Sequence, residues 1–193
     1  MDVVFGLLPN HAKSEVVIDG GHSGDQVRGI EGRANQVYRW ALDLAWRRAA
    51  NNDGPIGSVF VLSPSITHID DGEISHDEIG VQFRTGPSFT HDRWLTVSLQ
   101  GGIGIGYSQG EIRYREQGST EWRRENSNYG QYGELLGMVQ ARAVLPGGFT
   151  GVAGVGYMAH VTQEWYWTPF SHKIREVNRY RGVTWSIGGG WRF

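Results

Sequence analysis

The chain carries the stretch Val183-Thr184-Trp185-Ser186-Ile187-Gly188-Gly189-Gly190-Trp191-Arg192-Phe193 at its end. Odd positions read Val, Trp, Ile, Gly, Trp, Phe, and even positions read Thr, Ser, Gly, Gly, Arg. A period of two belongs to a β-strand, whose successive side chains point to opposite faces. One face here is apolar and aromatic, the other small or polar. No following chain covers the ring of Phe193. The pattern therefore points to an apolar solvent outside the fold rather than to an apolar core within it.

The same period recurs upstream. In residues 37–47, Tyr38, Trp40, Leu42, Leu44 and Trp46 share one face, and Arg39, Ala41, Asp43, Ala45 and Arg47 share the other. Ionisable groups on one face, with aromatics at both ends of the opposite face, suit a lipid-facing strand with interfacial girdles. Weaker or comparable alternation covers residues 56–67, 79–84, 95–107, 134–145 and 149–160, which with the two segments above makes seven strands. An eighth is expected upstream of Val37, with residues 14–20 the first choice and residues 2–8 the rival. On the first choice, residues 1–13 are an N-terminal segment, periplasmic or an alternative first strand, and residues 14–193 are the barrel.

Composition narrows the classes. Mean hydropathy is −0.40, and the longest apolar runs, such as residues 3–8, fall far short of the roughly 20 residues of a spanning helix. Net charge is −2, so no global basic field points to nucleic acid. The absence of cysteine excludes disulfides, thiolate metal sites and cysteine nucleophiles. The opening Met1-Asp2-Val3 lacks the basic region of a signal peptide, so an exported protein is expected to have had its signal removed.

The connectors set the architecture. Short links at residues 49–54, 86–92 and 146–148 alternate with long ones near 67–77, 108–131 and 161–180. Outer-membrane barrels show this asymmetry, with short periplasmic turns and long extracellular loops. The expected fold is all-β, an eight-stranded antiparallel up-and-down transmembrane β-barrel. A soluble calycin-like ligand-binding barrel also alternates, but it turns its hydrophobic residues inward. Here the opposite face is rich in Gly, Ser, Thr and Arg rather than the Lys, Glu and Thr of a water-facing sheet.

The aromatic end Trp191-Arg192-Phe193, with Ile187 and Trp185 in phase behind it, and the Gly-Gly-Ile-Gly-Ile-Gly-Tyr strand at 101–107 resemble the small bacterial outer-membrane β-barrel proteins. That resemblance implies an eight-stranded monomer in the bacterial outer membrane, inserted by the barrel-assembly machinery. It gives a fold and a membrane, and fold alone does not give function.

Several constellations carry chemistry. Arg39, Asp43, Arg47, Glu78, Gln82, Arg84, Gln100, Glu134, Gln140, Arg142 and Arg192 fall on the inner face. They form either a hydrogen-bonded, charge-paired plug or the lining of a narrow porin-like conduit. Tyr38, Trp40, Trp46, Tyr107, Tyr157, Trp185, Trp191 and Phe193 form the expected girdle. Some barrels of the resembling kind are lipid A deacylases. His160, Thr162 and Glu164 supply the residue types of such a hydrolase, with Thr where the deacylases' His-x-Ser pattern has Ser. Arg113, Arg115, Arg123 and Arg124 lie on one external hairpin, and Arg175, Arg179 and Arg181 on another. Arginine suits phosphate, so lipopolysaccharide is an expected partner beside outer-membrane lipids. Solvation of these arginines, balanced by Glu111, Glu116, Glu121 and Glu125, is the plainer alternative. Tyr114, Trp122, Trp165, Tyr166 and Trp167 offer contacts to a surface protein or glycan, or simply pack the hairpins. The run His68, Asp70, Asp71, Glu73, His76, Asp77 is expected to be a solvated loop rather than a metal site, and no cofactor is expected. The leading expectation is a structural, adhesion or partner-binding barrel with at most limited solute passage.

Overall fold

The computed structural model describes residues 2–7, 11–19, 26–33, 36–51, 54–70, 74–114, 123–127, 129–167 and 173–192. The strands in chain order are β1 (Asp2–Leu7), β2 (His11–Asp19), β3 (Gln26–Arg33), β4 (Gln36–Ala49), β5 (Ile56–Asp70), β6 (Ile74–His91), β7 (Leu95–Tyr114), β8 (Arg123–Asn126), β9 (Tyr129–Val144), β10 (Phe149–Trp167) and β11 (Lys173–Trp191). The protein is an all-β, antiparallel, up-and-down sheet. Strands β4, β5, β6, β7, β9, β10 and β11 lie side by side in sequence order, and β8 pairs with the far end of β7.

Both candidates for the first strand pair with β11. Asp2–Leu7 pairs with β4 on one side and with the last part of β11 on the other. Residues 12–19, which include most of the segment expected to come first, continue the same ladder on β11, from Ala12 opposite Tyr180 to Asp19 opposite Lys173. The rival segment thus takes the place beside β4, while the first choice pairs with β3 on its other side. Following the partners from Val4 leads through Ala41, Ser65, Gly80, Gly106, Tyr132, Thr162 and Asn178 to Ser14, ten residues further along the chain than Val4.

Backbone pairing also corrects the loop lengths. The expected long link at 67–77 is mostly strand, with only residues 71–73 between β5 and β6. Similarly β7 runs to Tyr114, β10 to Trp167, and β11 starts at Lys173. On β5, β6 and β7 the outward residues His68, Asp77 and Gln109 are polar, which hides the apolar period but costs the backbone ladder nothing. The expected link at 86–92 shortens as well. Strand β6 continues to His91, and the turn falls on Asp92 and Arg93, both left-handed, with φ 46° and 62°. The β4–β5 ladder skips Leu42 and Asp43, opposite Pro64 and Ser63, as expected where a proline has no N–H to donate.

The two faces divide sharply. Trp40 is 58% exposed, Ile103 59% and Ile105 66%, whereas Arg39, Asp43, Glu78 and Arg84 are buried. The arrangement is the reverse of the soluble ligand-binding barrel, whose hydrophobic residues would line its interior. Buried apolar side chains are few; Ile69, Leu136, Met138, Met158 and Tyr180 form the one apolar cluster among the described residues.

Glycine has a clear packing role at the inner Gly80–Gly106 pair. A Cβ on Gly106 would stand 2.5 Å from the ring of Tyr132 and 2.7 Å from the Cα of Gly80, and one on Gly80 would collide with the Tyr132 hydroxyl. The pair forms a slot that seats the ring. Outward Gly101, by contrast, has nothing within 4 Å of a Cβ position. Gly106→Val is therefore expected to cost about 1–3 kcal/mol through overpacking, and Gly101→Val close to nothing. Urea unfolding midpoints of the two variants in detergent micelles check this contrast.

Candidate functional site

The inner face brings together side chains from strands that share no ladder. Arg39 on β4 reaches Glu134 on β9 with both terminal nitrogens, Nη1 to Oε1 at 2.9 Å and Nη2 to Oε2 at 2.6 Å. Its Nε donates to Thr67 Oγ1 at 3.0 Å. The fork-to-carboxylate geometry is the strongest an arginine makes. Glu134 also accepts from Gln82 Nε2 at 2.8 Å and meets His160 Nδ1 at 3.1 Å. The other ring nitrogen of His160 lies 2.9 Å from Glu78 Oε1, and Thr162 donates to that same oxygen at 2.8 Å. Both His160 nitrogens face carboxylates, which only accept, and this suits a ring carrying both N–H groups. Two carboxylates, one guanidinium and one imidazolium then balance. The ring of Tyr132 stacks on His160 at 4.9 Å between centroids, closing the cluster against its glycine slot.

Two further layers flank this cluster. Toward the short turns, Arg84 Nη2 donates to Asp43 Oδ2 at 2.5 Å, Ser63 donates to the other oxygen at 2.7 Å, and Arg84 Nη1 rests 3.1 Å from the sulfur of Met138. Beside it, Gln100 Nε2 donates to Ser98 Oγ and to Gln140 Oε1. Toward the long hairpins, His76 Nδ1 stands 3.1 Å from Glu164 and its Nε2 stands 2.9 Å from Asn178.

Of the eleven residues expected inside, Arg39, Asp43, Glu78, Gln82, Arg84, Gln100, Glu134 and Gln140 are buried and Arg47 and Arg142 half-buried. Arg142 pairs with Asp2, which also accepts from Thr150. Arg192 is exposed instead, because β11 ends at Trp191 and leaves it beyond the ladder. The hydrolase set does not assemble. Thr162 and His160 approach each other at 3.1 Å, but Glu164 turns to His76, and all three side chains are fully buried on the inner face. The outward neighbours on β10, Tyr157 and Val161, are the ones an acyl chain would meet. His76 is likewise buried rather than part of a solvated loop, since it continues the inner phase of Glu78, Gln82 and Arg84. The phase of β5 equally brings Ser63, Ser65 and Thr67 inside.

The aromatic set lies outward. Trp46, Tyr107, Tyr157, Trp185 and Trp191 join Trp40 among the exposed residues, while Tyr38 is half-buried and stacks on His68. Tyr107, Tyr129 and Trp165 follow one another across β7, β9 and β10 with centroid spacings of 6.4 and 5.4 Å. In the β7–β8 ladder Arg113 stands opposite Arg124, and Tyr114 opposite Arg123. Arg115, Trp122, Asp71, Glu73 and Phe193 lie outside the described residues. Among the described residues no His, Asp and Glu group has the make-up of a metal site.

An apolar outer face around a charge-paired interior is the organisation of the small outer-membrane β-barrel proteins that the sequence resembles. No family model matches the chain, and no curated protein matches it. Solved structures with some likeness include Ail, the attachment invasion locus protein of Yersinia pestis, at 17% identity and TM-score 0.36, covering 100% of this chain and 97% of that one. Another is the translocator domain of the autotransporter NalP from Neisseria meningitidis, at 7% identity and TM-score 0.30, covering 100% and 88%. Likenesses of that size carry no argument about function.

Glu134 is the hub of the buried cluster. Glu134→Ala strands Arg39 without its partner and is expected to cost about 3–5 kcal/mol, whereas replacing both as Arg39→Met with Glu134→Leu costs much less. A double-mutant cycle on urea unfolding in micelles checks this; equal losses in the single and double variants would contradict it.

Proposed function

We propose that the protein is an integral outer-membrane β-barrel, eight strands closed by β1 between β11 and β4, with a sealed lumen and a binding role carried by its extended hairpins. The observation that carries the reading is the outward face of β7. Val97, Leu99, Ile103, Ile105 and Tyr107 are exposed and apolar, and the next outward residue, Gln109, is exposed and polar. A tilted strand over residues 97–107 rises about 25 Å, the height of the lipid-facing band of such barrels. The same change of character occurs from Ile66 to His68 on β5, from Ile79 to Asp77 on β6, and from Val183 to Arg181 on β11. A contiguous apolar surface of this extent has no counterpart on soluble monomers. The pairing of β1 on both its edges supports closure, since an open edge within hydrocarbon leaves backbone groups unsatisfied.

On this reading the short turns face the periplasm and the strand extensions stand outside the cell. The three inner layers of paired side chains make solute passage negligible. A lipid A hydrolase is disfavoured, because the Thr162 hydroxyl is buried away from the acyl chains. Two features favour partner binding. Strand β3 pairs with β2 on one side alone among the described pairings, and such an edge can accept a strand from another protein. Arg113 and Arg124 hold opposite register positions in the β7–β8 ladder, and arginine is the residue type that suits an anionic partner such as a lipopolysaccharide phosphate.

Two measurements test the proposal. Detergent-refolded protein should migrate differently on a gel before and after boiling and should leave a planar bilayer silent; a monomer soluble without detergent overturns the membrane reading, and steady conductance overturns the sealed lumen. Binding to lipopolysaccharide micelles should weaken about tenfold in Arg113→Gln with Arg124→Gln, as expected for losing charge-assisted contacts; unchanged binding would remove lipopolysaccharide from that ladder.

A further inference from the structure

The inner face does not stay filled to the short-turn end. Below the Arg84–Asp43 layer it widens into a cavity of about 770 Å³. Four arginines line it, Arg47, Arg93, Arg142 and Arg192, against two carboxylates, Asp2 and Asp92. Two carboxylates cannot neutralise four guanidiniums. Asp2 is taken by Arg142 and Thr150, and Asp92 lies 2.9 Å from His91. Arg47 uses one terminal nitrogen to donate to the carbonyls of Gly54 and Pro55, both at 2.8 Å, which ties it to the β4–β5 turn. The Nε groups of Arg47 and Arg142 are buried and meet no acceptor among the described residues. The cavity wall therefore holds an excess of guanidinium charge together with donors that lack acceptors. Arg93 sits on the left-handed turn between β6 and β7, and Arg192 follows β11, so these two come to the mouth from separate elements.

We propose that this vestibule binds a phosphate group. Planar guanidinium forks from different strands match the oxygens of a tetrahedral oxyanion and outcompete a single lysine in geometry. Arg47 and Arg142 are half-buried at the back of this open-mouthed cavity, where less water competes for such contacts than at a flat surface. Trp46 and Trp191 of the outward aromatic set also line the cavity, so free phosphate and a phosphate ester of the kind a lipid head group carries share the chemistry that this site would recognise. The inference rests on the cavity and its charge and is independent of the hairpin-binding reading.

Isothermal titration of the full refolded chain in a zwitterionic detergent tests it, with inorganic phosphate and glycerol phosphate as probes and chloride at matched ionic strength as reference. Saturable binding of either probe is expected. Binding of inorganic phosphate identifies the free anion, and binding of glycerol phosphate alone identifies the ester. In Arg93→Gln with Arg192→Gln the affinity should fall about tenfold or more, since charge-assisted contacts are lost. Both positions lie outside the interior ladders of ion pairs, so the heat-dependent gel shift should be retained. A signal that merely follows ionic strength, or binding untouched in the folded double variant, overturns the proposal. If the double variant fails to refold, Arg192→Gln alone supplies the same comparison, with a severalfold loss expected and an unchanged affinity overturning it.

Discussion

Arg39 and Glu134 stand on strands that share no ladder, yet their two hydrogen bonds join opposite walls of the sheet. This contact takes the place that a hydrophobic core holds in a water-soluble domain. With the large apolar residues turned outward, the interior is left to charged and amide side chains, which are costly when buried unless paired. The layers around Asp43, Glu134 and Glu164 answer that demand one after another along the inner face. The pairs Arg84–Asp43, Arg39–Glu134 and His76–Glu164 each join strands that share no ladder, so the interior chemistry also favours which strands face each other.

Much of this was legible in the chain before any coordinates. The period of two in residues 37–47 and 183–193 separated Arg39 and Asp43 from Trp40 and Trp46, and the same parity put Glu78, Gln82, Arg84 and Glu134 on one face. The legible part ended where the outward side chains ceased to be apolar. His76 has the phase of Glu78 but sits among acids, so it reads as loop; Thr67 and Asn178 are hidden in the same way. Backbone pairing does not depend on the hydrophobicity of either face, and composition therefore underestimates the length of every strand that leaves the apolar belt. Pairing partners such as Glu164 with His76 are a different limit. Period assigns a face, whereas register alone decides which residues on that face meet.

The hydroxyl, imidazole and carboxylate near residue 160 show the value of that distinction. Their spacing in the chain fits a nucleophilic set, and Thr162 and His160 do lie within hydrogen-bond reach of each other. Yet the carboxylates around His160 come from β6 and β9, and the whole group is closed off by Tyr132. The same residue types that would activate a nucleophile at an accessible wall here pair with one another while buried.

The ladder between β1 and β11 brings Asp2 beside Gly190, near the two ends of the described chain. Such a contact has the highest sequence separation among the described pairings, and its loop-closure entropy is met before any contact rewards it. The hairpins from β4 to β11 can form locally and in any order, but the pairing of β1 with β11 can form only after the final strand exists. The least local joint is thus the last that can form, and until it does β1 and β11 each keep an unpaired edge there, a template for the wrong partner.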